Sequence, residues 1–200
     1  MEDDIRAVVE ALDAALHDSG LTQAEFATAL GTSASRFSTY LAGKTIQSAA
    51  FYLRALRLAD LLKAARERGW MTPPSAAREI SHALRRGDDL WALKMTLQGR
   101  DHLRELLRAG DSASGAWNAE PRTTGDRRWD ALLAALTERE FDQAGREAPR
   151  WADADDLRLG ERDEWVLPSL LFTADEVRAM TPEWLARYGV FAAERDLVTA

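Results

Sequence analysis

Residues 21–45 read LTQAEFATALGTSASRFSTYLAGKT, a stretch that contains two helix-capping patterns separated by a glycine. Thr22 begins a capping box with the glutamate three residues later, which predicts a short helix that ends before Gly31. A glycine suits the turn at that point, and Ser33 predicts the cap of a second short helix, which Gly43 closes. The sequence therefore predicts two short helices joined by a tight turn.

Small residues set how these two helices pack. Short helices that cross steeply need small side chains where they touch, and Ala27 and Gly31 provide them. Phe37 and Tyr40 lie one turn apart on the second helix and predict its buried face. The opposite face is then exposed, and it carries Ala34, Ser35, Arg36, Ser38 and Thr39.

The flanking segments complete a helical bundle. Apolar residues at helical spacing over 5–16 predict a helix that ends at Gly20. Ser48 predicts the cap of another helix, which continues to Gly69. Residues 1–70 are therefore predicted to form a bundle of four to five short helices.

The rest of the chain is also predicted to be helical, so the expected fold class is all-α. Residues 71–110 contain two early prolines, which suit a first helical turn, and form a helical extension. Residues 111–126 are rich in glycine, serine and threonine, which predicts a linker or mobile loop. Residues 127–200 are acidic and rich in tryptophan, and they are predicted to form a small, mainly helical domain that binds a partner or mediates oligomerisation.

Charge is distributed unevenly along the 200 residues, which contain 26 Lys and Arg against 33 Asp and Glu. Residues 121–200 hold 17 acidic and 11 basic side chains, so this part would repel phosphate. No acid lies between Glu25 and Asp60. The basic residues of that window are Arg36, Lys44, Arg54 and Arg57. The window can face phosphate, unless the gap is a chance feature of a charged chain.

Composition excludes several kinds of site. The chain has no cysteine, and its three histidines, His17, His82 and His102, lie too far apart in sequence for a local metal-ligand motif. It lacks a phosphate-cradling glycine loop and any catalytic motif, so we expect neither an enzyme nor a cofactor. No apolar run approaches the roughly 18 residues of a membrane span, and we expect a cytoplasmic protein without membrane contact.

The stretch Leu21–Thr45 resembles the helix-turn-helix of the XRE and lambda-repressor family over the whole motif. The positions that carry the resemblance are Gln23, Ala27, Gly31, Ser33, Phe37, Tyr40, Gly43 and Lys44. Leu41 and Gln47 depart from the family pattern, which usually has a polar residue and a proline there. The resemblance implies a transcriptional regulator that binds double-stranded DNA at a specific operator sequence.

The exposed face of the second helix is the predicted base-reading surface. Arg36 is its one long donor and can bind guanine through two hydrogen bonds, the alternative being a solvated charge. Ser35 and Thr39 offer hydroxyl groups to base edges. The predicted base-reading set is Ala34, Ser35, Arg36 and Thr39.

The resemblance also implies phosphate contacts on both sides of that surface. The residues concerned are Thr22, Gln23, Ser33, Lys44, Thr45 and Ser48. Ser33 caps a helix whether or not DNA is bound, so its second role stays open.

The carboxyl end, TPEWLARYGVFAAERDLVTA over Thr181–Ala200, is similar to the end of actinobacterial XRE-type regulators, several of which are antitoxins. That resemblance implies an autoregulating antitoxin of a toxin-antitoxin pair, whose acidic part binds a cognate toxin. The alternative is a stand-alone repressor whose carboxyl-terminal part dimerises or senses a small ligand. An enzyme with a DNA-binding appendage is disfavoured because no catalytic site is visible.

Two copies are expected to bind the operator, because one such motif buries only about 600–1,000 Å² against DNA. Leu41 and the stripe Leu90, Leu93 and Leu97 are the candidates for the surface that joins the copies. The alternative is that these leucines close the core within one chain.

Overall fold

The computed structural model describes residues 2–153 and 155–199. The chain forms two compact units, each built from two segments: the chain up to Ser75 with Gly110–Arg122, and Ala76–Ala109 with the chain from Thr123 onward. Regular structure within the described residues is almost entirely helical, which confirms the all-α prediction.

Four helices of the first unit form the predicted bundle. They are α1 (Glu2–Ser19), α2 (Gln23–Ala29), α3 (Ala34–Leu41) and α4 (Ala49–Glu67). The caps are those that the sequence predicts, because Thr22, Ser33 and Ser48 each accept a hydrogen bond from the backbone N–H three residues later. Each cap satisfies a helix N–H that would otherwise have no partner within the helix.

The core of the first unit joins α2 to α3 directly. The rings of Phe26 and Phe37 are both fully buried and meet edge to face, with centroids 5.6 Å apart. Ala27 lies in the same cluster with no exposed surface. Gly31 has a φ of +67°, a left-handed conformation that favours glycine. Ala27 thus lets α2 and α3 approach closely. Gly31 supplies the conformation of the turn, but the prediction that it is a small residue at the helix contact is wrong, because a Cβ there would meet no atom within 4 Å.

The predicted linker or mobile loop, residues 111–126, is helical over its first half and irregular over its second half. Ser112–Asn118 forms a 3-10 helix that packs on α4, with Ala116 and Trp117 fully buried. A Cβ at Gly115 would lie 3.0 Å from a Leu61 methyl carbon, so the backbone passes close to α4 there. A composition rich in small residues indicates irregular backbone, but it does not exclude burial, because small residues also permit close packing.

The second unit contains most of α5 (Pro73–Arg85), which begins in the first unit. Its other regular elements are α6 (Asp89–Arg108), α7 (Arg127–Gln143), β1 (Trp165–Val166), α8 (Ala174–Met180), α9 (Glu183–Ala186) and β2 (Val190–Phe191), with 3-10 helices at Asp155–Leu157 and Glu194–Leu197. β1 and β2 pair in parallel. The sequence predicts no strand, and this is wrong here because two-residue strands are too short to show alternation.

The second unit is organised around α7, which is buried along most of its length. Trp129, in the first turn of α7, is buried, and the centre of its ring lies 5.0 Å from that of half-buried Trp165. Tyr188 is fully buried, and its hydroxyl lies within hydrogen-bond distance of the Glu138 carboxylate and the Ala152 carbonyl. Burial is the main cause that raises the pKa of Tyr188 far above its usual value.

The leucines proposed to join two copies serve mostly within one chain. Leu41 is half-buried and packs on the core of the first unit. In the second unit Leu97 is buried and Leu93 half-buried, whereas Leu90 is 79% exposed. The predicted stripe on α6 is therefore not a continuous exposed surface.

We expect Gly189→Ala to destabilise the second unit much more than Gly145→Ala does. Both glycines have positive φ, so both alanines carry a backbone strain of about 1–2 kcal/mol. Only at Gly189 would the new Cβ meet other atoms, 2.8 Å from the Leu159 Cβ and 2.9 Å from its carbonyl oxygen. This clash adds about 1–3 kcal/mol. Urea unfolding followed by tryptophan fluorescence measures the difference, and equal losses would contradict the contact.

Candidate nucleic-acid interface

The exposed face of α3 carries the predicted base-reading residues. Ala34, Ser35 and Arg36 are exposed, and Thr39 is half-buried. The opposite face is anchored in the core by Phe37 and Tyr40, as the sequence predicts. The structure thus brings the four predicted base-reading residues together on one side of a single helix.

The Arg36 side chain is held in place by a neighbour one turn along α3. Its Nε–H donates to the Tyr40 hydroxyl oxygen at 2.9 Å. This contact uses the inner donor of the guanidinium and leaves the two terminal amino groups to make other hydrogen bonds. Sequence reasoning assigned Tyr40 to the core and did not find this contact.

The hydroxyl groups of this face are partly used by α3 itself. Thr39 Oγ1 donates to the Arg36 carbonyl oxygen at 2.7 Å, so its single proton is already bound. Ser33 Oγ accepts from the Arg36 backbone N–H at 3.2 Å and lies 3.1 Å from Ser35 Oγ. Thr39 can therefore still accept a hydrogen bond and offer its methyl group, while its donor is occupied.

The start of α2 is a less open phosphate site than the resemblance implies. The Thr22 hydroxyl donates to the Glu25 carboxylate at 2.7 Å, and the same carboxylate oxygen accepts from the Thr22 backbone N–H at 2.8 Å. A carboxylate at this end repels a phosphate that would bind there. Gln23 is exposed beside it, so its side-chain amide can reach a phosphate.

The segment after α3 places the other phosphate candidates at the surface. Lys44, Thr45 and Ser48 are all exposed. Ser48 Oγ accepts from the Phe51 backbone N–H at 3.2 Å, which leaves its own proton to donate. Ile46 lies among them with 71% of its surface exposed, and sequence reasoning did not single it out.

The basic residues of the acid-free window have different structural roles. Arg54 donates from Nη2 to the Leu30 carbonyl oxygen at 3.0 Å, at the end of α2, and lies 5.5 Å from the centre of the Phe51 ring. It therefore supports the turn between α2 and α3. Arg57 is exposed one turn later on α4.

Residues 6–69 match the family model of a helix-turn-helix domain, and the match spans α1 to α4. It confirms the motif predicted at Leu21–Thr45 and supports a DNA-binding regulator. Comparison with curated proteins and with solved structures returned no match. Among the described residues, no group of three acidic or histidine side chains is placed to hold a metal ion, and no helix is long and apolar enough to cross a membrane.

We expect Arg54→Met to lower the free energy of unfolding of the first unit by about 1 kcal/mol, because it removes the hydrogen bond to the Leu30 carbonyl and keeps an apolar stem against Phe51. Lys44→Met is the matched control. Lys44 is exposed, so the same substitution should change stability by less than about 0.5 kcal/mol. Equal effects in urea unfolding would refute the structural role of Arg54.

Proposed function

We propose that this chain is a sequence-specific double-stranded DNA-binding transcriptional regulator whose α3 enters the major groove of its operator. One observation carries the proposal: α3 presents an exposed face on which the Arg36 guanidinium keeps two outward donors. Exposed Lys44 flanks that face, and both residues lie in the window without acidic side chains. An α-helix of this kind fits the major groove, where base edges are distinguishable.

The base-reading roles follow from the hydrogen-bonding groups of α3 that are not used within the helix. Arg36 binds the O6 and N7 atoms of a guanine. Thr39 offers a methyl group and an acceptor, which suit a thymine methyl or the amino group of adenine or cytosine. Ala34 and Ser35 lie at the start of α3 and contact the neighbouring base pairs.

The phosphate-contacting set is Thr22, Gln23, Ser33, Lys44, Thr45 and Ser48. Lys44 supplies the positive charge, and the Ser48 hydroxyl supplies a donor. Thr22 and Ser33 contribute less, because the Thr22 hydroxyl donates its proton to Glu25 and the Ser33 hydroxyl lies within hydrogen-bond distance of the Ser35 hydroxyl.

Paired copies of the chain occupy the operator, since one α3 reads too few base pairs to select a site among many competitors. Leu90 is the remaining candidate from the predicted stripe for the surface between copies, because it is exposed at the start of α6. Trp91 lies beside it and is 38% exposed.

We expect Arg36→Ala and Lys44→Ala to weaken DNA binding in different ways. Arg36→Ala should cost about 1–3 kcal/mol on a site selected from random DNA and relax the preference at one base pair. Lys44→Ala should weaken selected and random DNA alike and reduce the slope of log affinity against log salt by about one. Salt titrations on both DNAs measure this, and identical losses would show that Arg36 contacts phosphate instead of a base.

We also propose that the chain is an autoregulating antitoxin whose second unit binds a basic toxin protein. Leu170 is fully exposed and Leu171 is 62% exposed, on the loop between β1 and α8. Asp175 follows at the first turn of α8, and the whole of residues 121–200 is acidic. The exposed leucines can bury themselves in an apolar groove of the partner, and the acidic side chains beside them can pair with basic residues at the edge of that groove.

A second candidate is a repressor that senses a small ligand, and a cavity in the second unit favours it. This cavity of about 730 Å³ is lined by α6, α7, α9 and the segment Glu194–Thr199. Its size is typical of small-molecule sites. Arg108, Arg139 and Trp184 lie at its wall, with Leu136 and Leu197 as apolar lining.

We expect a reading frame next to the gene to encode a protein that co-purifies with this chain when both are expressed. Replacing Leu170 and Leu171 by Asp should weaken that complex at least about tenfold, because burying one leucine contributes about 1.5–3 kcal/mol. Leu53→Asp, at an exposed leucine of α4 that belongs to neither proposed surface, is the matched control. An adjoining protein that does not bind would contradict the antitoxin role and favour the ligand-sensing repressor.

A further inference from the structure

We propose that Tyr40 is a positioning residue that holds the Arg36 guanidinium ready to bind guanine through its two terminal amino groups. This inference rests on the proposed function, because it requires that α3 reads bases. It assigns a part in recognition to a side chain whose ring belongs to the core of the first unit. The contact that carries it is the 2.9 Å hydrogen bond from Arg36 Nε to the Tyr40 hydroxyl.

Tyr40 is a rigid support for this contact. It is only 6% exposed, and its ring packs at 5.2 Å from the Phe51 ring on α4. Residues four apart on a helix lie on the same side one turn apart, so the hydroxyl reaches Arg36 without distortion of α3. A side chain fixed by the core thus controls the direction of one that lies at the surface.

The hydrogen bond also selects how Arg36 can bind a base. An arginine can offer a pair of donors either from Nε and one terminal amino group or from the two terminal amino groups. Because Nε donates to Tyr40, only the second pair remains for a two-bond contact. Guanine presents two neighbouring acceptors, O6 and N7, in the major groove, and they match this pair.

The hydroxyl is the part of Tyr40 that the core does not require. Phe37, one turn earlier on the buried face, fills its place in the core with a plain phenyl ring. A buried tyrosine hydroxyl generally finds a partner, and here that partner is the side chain that faces DNA. Ordering one flexible side chain in an interface weakens binding by about 2-fold to 12-fold. The contact with Tyr40 orders the Arg36 side chain before DNA binds, so part of this loss is avoided.

The test compares base preferences of the full chain and its variants. Wild-type protein is used to select binding sites from random-sequence DNA, and the guanine that loses its preference in Arg36→Ala is identified. At that position Tyr40→Phe should reduce the preference for guanine by about 2-fold to 12-fold. Affinity for random DNA and its salt dependence should stay unchanged, because no phosphate contact is removed.

Two controls separate positioning from a general loss of structure. Tyr52→Phe removes a hydroxyl from another tyrosine packed on the same core and should leave every base preference unchanged. The double variant Arg36→Ala with Tyr40→Phe should show no further loss of guanine preference beyond Arg36→Ala alone, whatever Tyr40→Phe does to stability.

The outcomes are distinct. Full guanine preference in Tyr40→Phe, or additive losses in the double variant, would overturn the role of Tyr40 and leave Arg36 as the base-reading residue. A wild-type protein that selects no DNA sequence would overturn the proposed function itself. A reduced preference in Tyr40→Phe that disappears in the Arg36→Ala background supports the inference.

Discussion

The close contact between α2 and α3 fixes the position of α3 in the first unit. Ala27 has no exposed surface, and its carbonyl oxygen accepts a hydrogen bond from the Thr32 backbone N–H at 2.9 Å, across the glycine turn. A larger side chain at this position would need space that a close-packed core does not have. It would displace α3, and the face that carries Arg36 would move with it. Packing at one alanine therefore sets the position of the candidate DNA-binding surface.

Local features of the fold could be predicted from the sequence, and features that depend on tertiary packing could not. The caps at Thr22, Ser33 and Ser48 involve residues only three apart, so short sequence patterns indicate them. The loop prediction is wrong for Ser112–Asn118 because the composition of this segment is typical of a loop, whereas its burial depends on α4, which lies far away in sequence. The pairing of β1 with β2 has the same origin, since each strand is formed only by contact with the other.

The same division applies to the candidate site. Helical periodicity places Arg36 and Thr39 on the exposed face of α3, because the aromatic residues of that helix must face the core. It does not show that the Tyr40 hydroxyl reaches outward to Arg36, since that depends on how the ring is held by α4. Nor does it show that Arg54 binds the Leu30 carbonyl across 24 residues of sequence. A window that contains basic but no acidic residues indicates a surface that can bind phosphate. Only the packing shows which of its basic side chains already have a structural partner.

The hydrogen bonds within α3 also limit how much sequence one copy of this surface can read. Ser33 caps the helix, Ser35 lies within hydrogen-bond distance of it, and Thr39 donates its proton to a backbone carbonyl. The strong outward donors of the face are then those of Arg36, and a two-bond contact from one arginine discriminates a single base pair by about 1–3 kcal/mol. Specific binding exceeds non-specific binding by about 4–10 kcal/mol in typical DNA-binding proteins. One α3 with one such arginine falls short of that range. Selectivity for an operator therefore requires further base contacts, and a second copy of the same α3 on a neighbouring half-site is the simplest source of them.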